Sequence, residues 1–209
     1  MKLLIASKNL HKVRECKTLL KEFARKNEID LLSLREFPDY TPPEETGSTF
    51  EENARIKALH AAKLIDMLVL ADDSGLVVPA LNNAPGVYSA RYAGIGATDS
   101  ENRFKLLKEM SPLLDNQRTA RYECCMVLAN RDGVIKVAEG SCVGTILAKE
   151  RGNQGFGYDP LFVKAEYNKT FAEIDEEMKN KISHRGKSIT KILQTLESLV
   201  KSGNSPISY

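Results

Sequence analysis

The sequence predicts an α/β fold built on a mixed sheet, with a cleft between a parallel part and an antiparallel part. Three observations carry that expectation. In the first half, short apolar runs alternate with stretches of helical periodicity, the pattern of strands joined by crossover helices. In the second half, Arg121 to Ala129 and Val134 to Leu147 read as two strands joined by a turn at Arg131-Asp132-Gly133. A connection that short joins antiparallel strands. The chain has 209 residues, 42% hydrophobic and 28% charged. That is ordinary for one globular domain with a core that needs no staples. We expect a single domain over 1–201 and a disordered C-terminal tail over 202–209.

The elements follow in order. Lys2 to Ala6 is a short buried strand. Residues 10–24 place Leu10, Val13, Leu19, Leu20 and Phe23 on one helix side and Lys12, Arg14, Lys17 and Lys21 on the other. Leu31 to Leu34 is a second strand, and Phe37 to Thr46 is a loop marked by Pro38, Pro42 and Pro43. Ser48-Thr49-Phe50-Glu51-Glu52 caps a helix that runs to about Leu64. Val69 to Ala71 is a strand. A sharp turn is expected at Asp73-Ser74-Gly75, with Leu76 to Pro79 continuing beyond it. Asn82 to Ala97 is a loop rich in Gly and Ala, and 99–110 is a helix opened by Asp99 or Ser100. Residues 150–160 form a glycine-rich loop. Residues 188–201 form an amphipathic helix with Ile189, Ile192, Leu193, Leu196 and Val200 inward.

Composition excludes several function classes. A net charge of +2 is too small to argue for nucleic-acid or membrane binding. No apolar run approaches the roughly 20 residues of a spanning helix. The apolar part of Met1 to Lys8 is too short for a signal peptide. The four cysteines show no CxxC spacing, and no histidine stands at ligand spacing. Four reduced thiols in a cytoplasmic protein, without a zinc site, are therefore expected.

Five clusters could carry chemistry. Ala71-Asp72-Asp73-Ser74-Gly75-Leu76 brings two carboxylates to the end of an apolar strand, a common way to hold a hard cation such as Mg²⁺. The same residues make good turns. Ser7-Lys8-Asn9-Leu10-His11-Lys12 joins the first strand to the first helix, where helix-end N–H groups and Lys12 suit phosphate. Taken alone, Ser7 or Asn9 as a plain helix cap, with Lys12 solvated, accounts for it more readily. Glu45 lies before a helix on which Asn53 and Lys57 share a face. There Lys57 reaches phosphate or the attacking water, or merely snorkels. In Gly155-Phe156-Gly157-Tyr158-Asp159-Pro160 the Phe156 ring can stack on any base and Asp159 can accept from a ring N–H, or the stretch is simply a tight loop with Phe156 buried. Ser183-His184-Arg185-Gly186 supplies donors that would select a carbonyl over an amino group, or else simply enters the last helix.

In this order the clusters resemble the inosine triphosphate pyrophosphatase family, the Ham1-like non-standard purine NTP pyrophosphatases. The resemblance runs from Leu3 to about Leu199. Its most specific stretches are Glu45 to Ala54, Ala71 to Leu76, Pro85 to Tyr92, Gly155 to Pro160 and Ile182 to Gly186. It implies a long central sheet, two lobes around a nucleotide-binding cleft, a homodimer and Mg²⁺. It also implies hydrolysis of ITP, dITP and XTP to the monophosphate and pyrophosphate. By motif, Ser7 to Lys12 and Lys57 hold phosphate. Glu45, Asp72 and Asp73 hold Mg²⁺, with Asp73 as general base and Lys57 beside it. Ser74 touches the nucleotide. Phe156, Gly157, Tyr158, Asp159, Lys179, His184 and Arg185 surround the base. Lys8, His11 and Gln154 stand where many relatives carry glycine.

The chemistry agrees with that implication. A triphosphate needs its charge neutralised before water can attack, and a positioned base must take the proton. Deamination turns the 6-amino donor of adenine into a 6-keto acceptor, which donors at His184 and Arg185 would reward. Two rival readings are a Maf-like pyrophosphatase for modified pyrimidines and a non-catalytic nucleotide sensor. Ser183 to Gly186 argues against the first. Glu45, Lys57, Asp72 and Asp73 argue against the second.

Overall fold

The computed structural model describes residues 1–202. Seven strands are β1 (Lys2–Ile5), β2 (Asp30–Ser33), β3 (Leu68–Val77), β4 (Thr119–Asn130), β5 (Gly133–Ile146), β6 (Phe162–Lys164) and β7 (Lys169–Thr170). They form one sheet in the order β2-β1-β3-β4-β5-β6-β7. β1 pairs in parallel with both β2 and β3. β6 pairs antiparallel with β5 and β7. The expected mixed sheet is therefore present. Asn130 Oδ1 closes the tight turn between β4 and β5 by accepting from the N–H of Asp132 and of Gly133. The helices are α1 (Leu10–Lys26), α2 (Phe50–Ile65), α3 (Asp99–Glu109), α4 (Glu176–Ile182) and α5 (His184–Lys201).

The chain divides into two compact units. The first contains Met1–Asp73, Cys124–Gly140 and the segment from Arg185 onward. Strand alternation sorts its core onto two faces. Leu3, Ile5, Leu68, Leu70, Cys124 and Met126 pack with Val13, Cys16 and Leu20 of α1 and Ile189, Ile192 and Leu196 of α5. Leu4, Ala6, Val69, Ala71, Cys125 and Val127 pack with α2. Ala54, Ala58, Ala61 and Ala62 of α2 have no exposed surface, so small side chains bring that helix close to the sheet.

The second unit contains Ser74–Glu123 and Ser141–His184. Its core gathers Leu76, Leu106, Tyr122, Cys142, Tyr158, Phe162 and Phe171. Both helix starts anticipated from capping residues are built as their chemistry requires. Thr49 Oγ1 accepts from the N–H of Glu52. For α3 the capping residue is Thr98, one position before the expected start, in a capping box with Glu101.

Three expectations need correction. Asp73-Ser74-Gly75 is not a turn, because β3 runs unbroken from Leu68 to Val77. Gly75 is needed for a different reason. A Cβ there would stand 2.3 Å from Ser89 Oγ and 2.5 Å from the Gly86 carbonyl oxygen. The last helix begins at His184, four residues earlier than its apolar periodicity indicates. The short elements β6, β7 and α4 lie in a stretch where no element was expected. Ser202 continues the helix hydrogen bonding to Ser198, and the rest of the expected tail lies outside the described residues. Among the described residues no helix is long and apolar enough to cross a membrane. All four cysteines are buried and stand outside any disulfide.

Candidate active site

The carboxylates of the first unit are delivered by β3. Neighbouring strand residues leave opposite faces of a sheet, and Asp72 and Asp73 meet different helices accordingly. Asp72 Oδ2 lies 3.3 Å from Lys12 Nζ of α1 and 3.1 Å from Arg185 Nη2 of α5. Asp73 Oδ1 lies 3.1 Å from Lys57 Nζ of α2. Asn53 Nδ2 donates to Asp73 Oδ2 at 3.2 Å. Lys57 Nζ also stands 3.1 Å from Glu45 Oε1. One ammonium thus bridges two carboxylates.

Asn53 is fully buried, and its Oδ1 accepts from the N–H of Gly47 at 2.8 Å. It therefore ties the loop that carries Glu45 to the carboxylate of Asp73. A Cβ on Gly47 would fall 2.7 Å from that oxygen, so the loop can approach only with glycine there.

Charge and burial set the ionisation of this group. Burial alone would raise the Asp72 carboxyl. Lys12 and Arg185, with help from Lys57, outweigh it and hold Asp72 well below the usual carboxylate range. For Asp73 burial prevails over Lys57 and Lys12, and the Glu45 charge adds to it, so this carboxyl lies above its ordinary value. Burial opposes the charge of Lys57, but Asp73, Asp72 and Glu45 raise its ammonium above its ordinary value. Lys57 is therefore a fixed cation and Asp73 is the better proton acceptor.

The donor set suits a hard divalent cation. Glu45 and Asp73 already converge on a single positive charge, that of Lys57. Among the described residues no group of three His, Cys, Asp or Glu side chains is arranged to hold a metal. Mg²⁺ does not require one, because it is usually held by one or two carboxylates with substrate phosphates and water.

The loop from Ser7 to Lys12 is built as a helix cap. Asn9 Oδ1 accepts from the N–H of His11 at 2.9 Å and of Lys12 at 3.2 Å, and Ser7 Oγ accepts from the N–H of Asn9. Lys8, Leu10 and His11 are exposed, and Lys12 turns inward to Asp72.

Sequence motifs point Arg185 at a base. The structure sets its guanidinium, 1% exposed, between Glu15 of α1 and Asp72. Glu15 is 7% exposed, and no motif singles it out.

A second group forms within the second unit. Lys179 Nζ of α4 donates to Asp159 Oδ2 at 2.6 Å and lies 4.9 Å from the centroid of the half-buried Phe156 ring. The Phe156 N–H donates to the same Asp159 oxygen at 2.9 Å. A Cβ on Gly155 would sit 2.1 Å from that oxygen, and φ there is +75°, so this position requires glycine. Tyr122 donates from its hydroxyl to Asp159 Oδ1 at 3.2 Å. Its ring stacks on His184 with centroids 4.7 Å apart and planes 8° from parallel.

The remaining loop residues act on the scaffold. Tyr158 donates to the Ser89 carbonyl at 2.9 Å. Gly157 donates to Asp99 and accepts from Arg103 Nη1. Ser74 is the one residue of β3 that is not fully buried.

Ammonium groups set against carboxylates suit a polyanion and the water that attacks it, and a stacked, donor-bearing group suits a flat heterocycle. Each group, taken within its own unit, fits an enzyme that hydrolyses nucleoside triphosphates. Comparison with known proteins narrows the class. The profile of the Ham1 family matches residues 3–195, and the chain belongs to that family. It is 54% identical to the dITP/XTP pyrophosphatase of Protochlamydia amoebophila over 200 residues, which are 95% of this chain and 99% of that protein. It is 49% identical to the dITP/XTP pyrophosphatase of Desulforamulus reducens over 199 residues, 95% of this chain and 97% of the relative. Among solved structures, a HAM1 protein from Coxiella burnetii superposes with a TM-score of 0.84 at 41% identity, covering 95% of this chain and 99% of the other. The Ham1 protein of Staphylococcus aureus gives 0.82 at 39% identity, with the same coverage of both chains.

Proposed function

We propose that this protein is a nucleoside triphosphate pyrophosphatase that removes deaminated purine nucleotides, ITP, dITP and XTP, from the nucleotide pool as monophosphate and pyrophosphate. The observation that carries the reading is Lys57, bridging Glu45 and Asp73 while Asn53 orients Asp73. Relatives at about half identity carry the name dITP/XTP pyrophosphatase, which supports the substrate class.

The roles follow from the contacts. Asp73, its carboxyl raised by burial, takes the proton from the attacking water. Lys57 keeps that carboxylate oriented and faces the polyphosphate with a fixed charge. Lys12 faces phosphate oxygens at the start of α1, and the N–H groups of Asn9, His11 and Lys12 join it only by leaving their side-chain caps. Glu45 and Asp73 would hold Mg²⁺, with Asp72 adding its charge from the opposite face of β3. When bound, the cation neutralises the phosphate chain and polarises its oxygens. Ser74, the open residue of β3, touches the nucleotide. Phe156 is the stacking platform, and Lys179, Asp159 and His184 line the base. Gly157 and Tyr158 hold that loop in shape. Arg185 serves the carboxylates, because its guanidinium lies on Glu15 and Asp72.

The reading includes a cytoplasmic homodimer with no nucleic-acid or membrane partner. Sedimentation velocity at micromolar concentration tests the dimer. The activity is tested with a panel of ribo- and deoxyribonucleoside triphosphates and Mg²⁺, scored for products. Pyrophosphate and monophosphate from ITP, dITP and XTP, with ATP and GTP slow, is the expected result. Orthophosphate and a nucleoside diphosphate would refute it.

A further inference from the structure

Tyr122 lies outside every motif, yet it touches two of the groups that line the base in the proposed reading. It belongs to the part of β4 in the second unit and is 7% exposed. Its ring runs nearly parallel to two others. His184 lies on one neighbouring plane, at 4.7 Å and 8°, and Phe171 on another, at 5.8 Å and 2°. Phe162 closes the edge with a tilted contact at 4.8 Å. The hydroxyl end reaches Asp159. Burial, followed by the Asp159 charge, holds the phenol well above its ordinary pKa, so it is a donor throughout the working range of pH.

The two contacts differ in what they control. An imidazole presents donors and acceptors only in its ring plane, so whatever fixes the plane fixes where they point. The parallel face of Tyr122 does this for His184, whose ring cannot tilt without leaving the stack. Asp159 is less dependent on Tyr122. Lys179 Nζ at 2.6 Å and the Phe156 N–H at 2.9 Å hold one of its oxygens, and the Tyr122 contact at 3.2 Å is the longest of the three.

We propose that Tyr122 is a positioning residue for base selection: its ring sets the plane in which His184 meets the base, and its hydroxyl makes a minor contribution through Asp159. The proposal rests on the base-recognition reading of His184 given above.

The test compares kcat/KM for ITP, XTP and ATP in Tyr122→Leu, Tyr122→Phe and His184→Ala, with folding checked by circular dichroism and Tm. Tyr122→Leu removes the stack. The preference for ITP over ATP should fall roughly 3- to 10-fold, the worth of an aromatic pair, mainly through KM for ITP. Tyr122→Phe keeps the ring and should restore that preference. Its KM should rise by a similar small factor for every nucleotide. A folded Tyr122→Leu protein with unchanged preference overturns the proposal, and so does loss of preference in Tyr122→Phe. The second outcome stays available should Tyr122→Leu not fold. His184→Ala separates the two levels. If it also leaves the preference unchanged, the base-recognition reading of His184 has failed. If it abolishes the preference while Tyr122→Leu does not, only the role of Tyr122 has failed.

Discussion

Arg185 and Asp72, 113 residues apart in sequence, form a buried ion pair at 3.1 Å, with side chains 1% and 2% exposed. The same guanidinium binds Glu15, 170 residues away. A permanent cation between two carboxylates fixes both and keeps Asp72 ionised. Arginine suits this better than lysine, because its planar fork can address two carboxylates from one group.

Arg185→Ala should therefore strip the clamp rather than alter base choice. Breaking a buried ion pair by removing one partner costs about 3–5 kcal/mol. Urea unfolding should show a loss of that order. The kcat/KM values for ITP and ATP should fall by similar factors. A selective loss for ITP would return Arg185 to the base.

Asp73→Asn keeps the shape of the side chain and removes both the base and a cation ligand. General-base catalysis alone is worth ~10²–10⁴-fold, so kcat for ITP should fall at least that far while Tm shifts by only a few degrees. Direct Mn²⁺ binding, followed by electron paramagnetic resonance, should weaken in parallel. Turnover near wild type in a folded variant would remove Asp73 from the chemistry.

Gly75→Ala tests the close approach of the Gly86–Arg91 segment to β3. The added methyl would meet Ser89 Oγ at 2.3 Å and the Gly86 carbonyl at 2.5 Å. The Ser89 hydroxyl, which accepts from the Leu76 N–H and donates to that carbonyl, would have to move. Overpacking of this kind costs about 1–3 kcal/mol. Differential scanning calorimetry should show a lowered Tm. An unchanged Tm would mean the segment yields freely.

Acid stability should report on Asp72. Its folded pKa is depressed, so its contribution to stability is full above its unfolded value, near 3.8, and is lost as pH falls toward the lower folded value. Stability of the metal-free protein should therefore decline below about pH 4. Asp72→Asn should be less stable at pH 7, because Arg185 and Lys12 lose a partner. It should also lose less on further acidification. Parallel pH curves for the two proteins would show that Asp72 does not carry this dependence.

Short-range chemistry made much of the fold legible. Asn9 and Thr49 cap helices because an oxygen at that position meets N–H groups two or three residues on. The apolar periodicities of β1, α1, α2 and β3 are complete within each element. The motif residues around Asp73, Lys57, Phe156 and Asp159 stand out because glycines and charges are packed into a few positions. What ran ahead of the structure also had a local cause. Asp-Ser-Gly satisfies the rules of a turn, and only the Gly86–Arg91 segment lying against Gly75 shows that the glycine serves close packing in a strand.

The sequence alone determined the fold class, the strand and helix order of the first half and the family, because each of these is written in neighbouring residues. Tertiary structure decided the partners. Glu15 looks like one more charge on a basic helix until Arg185 arrives on α5. Tyr122 looks like a core strand residue until His184 and Asp159 close on it. Arg185 carries the same motif whether it faces a base or a carboxylate. Electrostatic pairing and ring stacking act over a few ångströms in space. Residues 37 to 170 positions apart leave no trace of them along the chain.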